Sequence, residues 1–61
     1  MKLREYQITL VNETAGDEVG PPLYTFTTVT RQTFNEAVTA AYMYRAKSGY
    51  DWMIESIVQK T

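Results

Sequence analysis

Seven carboxylates, five tyrosines and no histidine or cysteine set the chemistry open to this chain of 61 residues. Without histidine the commonest general base and metal ligand is missing, and without cysteine there is neither a thiol nucleophile nor a thiolate zinc site. The carboxylates are spread along the sequence, save Glu13, Asp17 and Glu18, which stand close together with no base between them. Acid of that kind can engage a basic partner or imitate a phosphate run, and a solvated hairpin tip accounts for it equally well. Carboxylates alone can hold Mg²⁺ or Ca²⁺, but the spacing of a calcium-binding loop is absent. General acid–base catalysis needs a polar pair held in a pocket, and no such pair stands out. A non-enzymatic protein with no cofactor and no metal site is expected.

Composition narrows the partners. The formal charge of −1 gives no general attraction to nucleic acid or to an anionic membrane, and Arg4, Arg31, Arg45, Lys47 and Lys60 are scattered rather than grouped. Nucleic acid is therefore not the expected partner. No apolar run approaches the roughly 20 residues of a membrane span, so a cytoplasmic protein without membrane association is expected. A chain this short buries only about 60% of its unfolded surface, which leaves a thin stability margin and room for one domain, residues 1–61.

The element that must position everything else is the segment from Thr33 to Lys47. Thr33 followed by Glu36 is a capping box, in which each side chain satisfies the other residue's amide. Phe34, Ala37, Val38, Ala41 and Tyr42 follow the helical spacing of a buried stripe. Arg45 and Lys47 suit the negative end of the helix dipole, and Gly49 is placed for a left-handed cap.

Around the helix the chain reads as strand. Glu5 to Val11 alternates, with Tyr6, Ile8 and Leu10 on one face. Leu23 to Thr30 is β-branched and aromatic, and its two aromatic residues, Tyr24 and Phe26, are expected to face the helix. Trp52 to Gln59 alternates again, with Trp52, Ile54 and Val58 on the helix side and Met53 and Ile57 opposite. The stretch between the first two strands, Asn12 to Pro22, is long for a hairpin loop. The order is ββαβ, an α+β fold. A hairpin and a helical crossover predict an antiparallel or mixed three-stranded sheet, order 2-1-3, with the helix on one face.

One helix covers one face of such a sheet. The open face is expected to carry Val11, Leu23, Val29, Met53 and Ile57, and apolar residues on both sides of the third strand favour a contiguous patch over scattered ones. Such a patch would bury against another protein or a second copy of the chain. These five residues, with the acidic Glu13, Asp17 and Glu18, form the expected contact set.

The pattern Thr33-x-x-Glu36-Ala37, with Tyr44 near the helix end, then Gly49-Tyr50 and a last strand carrying Ile54 and Ile57, resembles the small T7-type phage inhibitors of bacterial RNA polymerase. The likeness covers roughly the second two-thirds of the chain. That family carries arginines on its last strand, where Glu55 to Lys60 here supplies only Lys60. The ββαβ order is also similar to the acidic, dimeric phage inhibitors of uracil-DNA glycosylase. Both resemblances imply a small phage-encoded protein that acts in the host cytoplasm by covering a surface of a host nucleic-acid enzyme.

Overall fold

The computed structural model describes residues 2–13, 21–49 and 51–61. Strand β1 is Arg4–Asn12, β2 is Leu23–Arg31, helix α1 is Phe34–Ser48, and β3 is Met53–Gln59. The sheet order is β2-β1-β3, and β1 is antiparallel to both neighbours, so the sheet is antiparallel throughout. One helix packs on one side, as the α+β reading of the sequence requires.

The helix begins where its cap dictates. Thr33 has an extended backbone, its hydroxyl accepts from the Glu36 amide at 3.2 Å, and Glu36 Oε1 accepts from the Thr33 amide at 3.1 Å. The same Glu36 oxygen accepts from the Gln32 amide, so the carboxylate serves two donors ahead of the helix. At the far end the Gly49 amide donates to the Arg45 carbonyl at 3.0 Å. Gly49 has φ 120° and ψ 167°. The left-handed cap expected there is therefore replaced by an extended positive-φ conformation that glycine alone adopts readily.

The core lies between α1 and β1. Tyr6, Ile8 and Leu10 are 1%, 0% and 0% exposed, and Ala37 and Ala41 are fully buried against them. Alanines at the contact let the helix sit close to the strand. The buried stripe is rotated from the expected one. Ala37, Ala40, Ala41 and Tyr44 face the sheet, whereas Tyr42 is exposed and Phe34 is half-exposed, its ring edge-on to Tyr6 at 6.0 Å. Ala40 and Tyr44, spaced three and seven from Ala37, take the places assigned to Val38 and Tyr42.

Two strand facings also differ from expectation. Register pairs Tyr6 with Val29, Ile8 with Thr27 and Leu10 with Thr25, so Thr25, Thr27 and Val29 are the residues of β2 that share the helix side. Tyr24 and Phe26 point to the open side. Tyr44 occupies the space above β2, and its hydroxyl lies 3.2 Å from Thr25 Oγ1, so each satisfies the other in a partly buried setting.

In β3 a bulge changes the parity. Ile57 pairs with Ile8 and Ser56 with Thr9, but Leu10 pairs with Ile54, which leaves Glu55 as the extra residue. Strict alternation would put Ile54 and Ile57 on opposite faces. The bulge turns both into the core, with Trp52, and turns Val58 out.

Candidate interaction surface

The open side of the sheet is built row by row from the register. Tyr24, Val11 and Met53 lie side by side across the three strands, then Phe26, Thr9 and Ser56, then Thr28, Gln7 and Val58. Tyr24 and Phe26 are 57% and 66% exposed, and Met53 and Val58 are 56% and 52% exposed. With an aromatic side chain presenting roughly 200 Å², the four leave an apolar patch of about 300–400 Å² in contact with water. Thr9 and Gln7 on the central strand interrupt it, so the apolar density is greatest at the end formed by Tyr24, Phe26 and Met53.

Val11 lies on this side yet is only 6% exposed, because Tyr24 and Met53 flank it in the same row. It is the floor of the patch rather than a contact residue. Met53 is held from the other side of the molecule. The Arg45 side chain bonds the Trp52 carbonyl at 2.6 Å through Nε and reaches Met53 Sδ at 3.7 Å through Nη2. This tie fixes the start of β3 to the last turn of α1 and places a cation at the corner of the patch.

The remaining expected contact residues are distributed differently. Ile57 and Val29 pack against the core and cannot meet a partner on the open side. Leu23, at the start of β2, is exposed but shares the helix-side parity of Thr25 and Val29. Glu13 is exposed just after β1, while Asp17, Glu18 and Tyr50 lie outside the described residues. Tyr24, Phe26 and Val58 are the surface residues that sequence reasoning placed inside. Only the register and the bulge expose them, although Thr25 and Thr27, interleaved with the aromatic rings in Tyr24-Thr25-Phe26-Thr27, are a usable hint that either set could face the helix.

Among the described residues no group of three or more acidic, histidine or cysteine side chains lies together in a way that could hold a metal ion. Among the described residues no helix is long and apolar enough to cross a membrane. The hollows lined by described residues lie beside the helix and gather no set of reacting groups. Comparison with family models, with curated proteins and with solved structures finds no match, so the site stands on its geometry.

Proposed function

We propose that this protein is a small non-enzymatic interaction module that docks on another protein through the open side of its sheet. The observation that carries the reading is the exposure of Phe26 and Tyr24 beside Met53 on a face that the single helix leaves uncovered. Fully burying a side chain of this size is worth about 1.5–3 kcal/mol, a large return for a chain whose own stability is of order 5 kcal/mol.

Area bears on the kind of partner. Three strands about 4.8 Å apart and about seven residues of common length give a footprint near 350 Å², against roughly 800 Å² per partner in a standard interface. A second copy laid flat on this face would cover the footprint alone. A larger protein with a concave site would also take the rim, where Glu5, Glu55 and Arg45 supply charge of both signs. This favours a larger partner over a homodimer as the functional state.

The resemblance carried by Thr33, Glu36, Ala37, Tyr44, Gly49, Ile54 and Ile57 supports a phage-type inhibitor or modulator of a host nucleic-acid enzyme, with bacterial RNA polymerase as the first target to test. Uracil-DNA glycosylase is the second. Each purified enzyme, immobilised and titrated with the protein, provides the test, with transcription or uracil excision followed in parallel. Saturable binding with loss of one activity supports the reading. No binding to either enzyme at tens of micromolar would remove both targets.

A further inference from the structure

The open side is not the only unsatisfied surface. In a sheet of order β2-β1-β3 both outer strands have an edge that pairs with no further strand among the described residues, and the two edges differ. On β3 the bulge and the charge at Glu55, with Lys60 just beyond the strand, are devices by which proteins blunt an edge. On β2 there are none. Its nine residues contain no proline and no charge before Arg31. Among the described residues its backbone bonds to β1, and beyond that only the Thr30 carbonyl is engaged, by the Arg31 side chain.

Beside that edge the helix leaves a groove. Two adjoining hollows of about 260 and 250 Å³ share Arg31, Ala40 and Met43. The larger reaches Glu36, and the other runs past Val29 to Lys47. The groove thus has an apolar stretch beside Arg31, which lines both hollows, with Glu36 towards one end and Lys47 towards the other. Its one acid, Glu36, is engaged with the Gln32 and Thr33 amides, while Arg31 donates to the Thr30 carbonyl and pairs with no carboxylate among the described residues.

We infer that the free edge of β2 takes an extended, acidic peptide segment as a fourth strand, whose alternate side chains enter the groove between β2 and α1. A strand added at the usual spacing places every second side chain over Val29, Ala40 and Met43, and its carboxylates meet Arg31 or Lys47. Its other side chains extend the open face next to Tyr24 and Phe26. The charge pattern selects a peptide over a second copy. Antiparallel self-pairing of β2 centred on Thr27 would set Arg31 against Leu23, supply no acid, and leave Lys47 unanswered. This inference is independent of open-face docking, because its determinants are Arg31, Lys47 and the β2 backbone rather than Met53 and Val58.

Selection of a displayed random library of peptides about ten residues long on the immobilised protein tests it. The expected winners carry β-branched or aromatic residues at alternate positions in the middle and an acidic residue at one or both ends of that same alternating set. A synthetic consensus peptide should shift the amide resonances of Thr25 to Arg31 and of Ala40 to Lys47. Its affinity should fall about tenfold or more in Arg31→Glu and in Lys47→Gln, and likewise when alternate peptide amides are N-methylated. Arg31→Gln, which adds no new charge, should weaken binding less than Arg31→Glu, and the helical circular dichroism of all three variants should match wild type. Winners without acidic bias, binding that survives Arg31→Glu, shifts confined to Met53 and Val58, or failure to enrich any peptide would each overturn it.

Discussion

The two sides of this sheet are made from alternate residues of the same three strands, and they have been resolved in opposite ways. On the covered side the central strand supplies Tyr6, Ile8 and Leu10, all essentially without solvent contact, and β2 supplies two threonines and a valine. On the open side β2 supplies its aromatic rings and leaves them more than half exposed. If stability alone had assigned the faces, Phe26 would be inside and Thr27 outside, a difference of about 1.5–3 kcal/mol for the phenylalanine. Hydrophobicity by itself thus did not set the facing. Once the central strand commits Ile8 and Leu10 to the helix, antiparallel register commits Thr25 and Thr27 with them.

The sharpest way to break this comparison is to truncate one residue on each side. Leu10→Ala should cost about 2–5 kcal/mol, enough to unfold much of so small a domain, because a fully buried side chain is lost and α1 cannot close the gap. Phe26→Ala should change stability by no more than about 0.5 kcal/mol, as expected for an exposed position. Urea titration followed by circular dichroism gives both numbers. Similar costs for the two variants would mean that the sides are not distinct.

Effects of intermediate size belong to the helix ends that hold the cover in place. Gly49→Ala should cost about 1–3 kcal/mol through its positive φ, since an added methyl would meet only Trp52 Cδ1, at an ordinary 3.9 Å. Thr33→Ala should cost about 1 kcal/mol, or roughly 4–8 °C in melting midpoint, by removing the acceptor for the Glu36 amide. An unchanged midpoint would show that the helix does not depend on this cap. A comparable effect is expected of Tyr44→Phe. It removes one hydroxyl from the Thr25–Tyr44 pair and should cost about 0.5–1.5 kcal/mol, less if water reaches Thr25. A double-mutant cycle with Thr25→Val separates the pair from its surroundings.

The element types and topology were legible in the sequence because each rests on local patterning: the alternation of Tyr6, Ile8 and Leu10, the capping box at Thr33 and Glu36, and a crossover that allows few sheet orders. The surface was less legible because facing is a tertiary property. Leu23 to Thr30 alternates two sets that are both good strand formers, so its pattern has no preferred side until it is paired with β1. In β3 the count of residues between Ile54 and Ile57 misleads, since a bulge at Glu55 supplies the odd residue that alternation cannot anticipate. Val11 was placed on the correct side, but its burial by Tyr24 and Met53 depended on neighbours whose register was not yet known.

The central claim is that the open side serves binding and not folding, and one doubly substituted protein tests both halves. Phe26→Lys with Met53→Lys places two charges in the apolar rows flanking Val11 while leaving Tyr6, Ile8 and Leu10 untouched. The account predicts a helical circular dichroism spectrum like that of wild type, a melting midpoint within several degrees of it, and loss of binding to any protein partner that the unsubstituted chain engages saturably. Retained binding by the folded variant would contradict the claim, and so would a variant that fails to fold, because those side chains would then belong to the core.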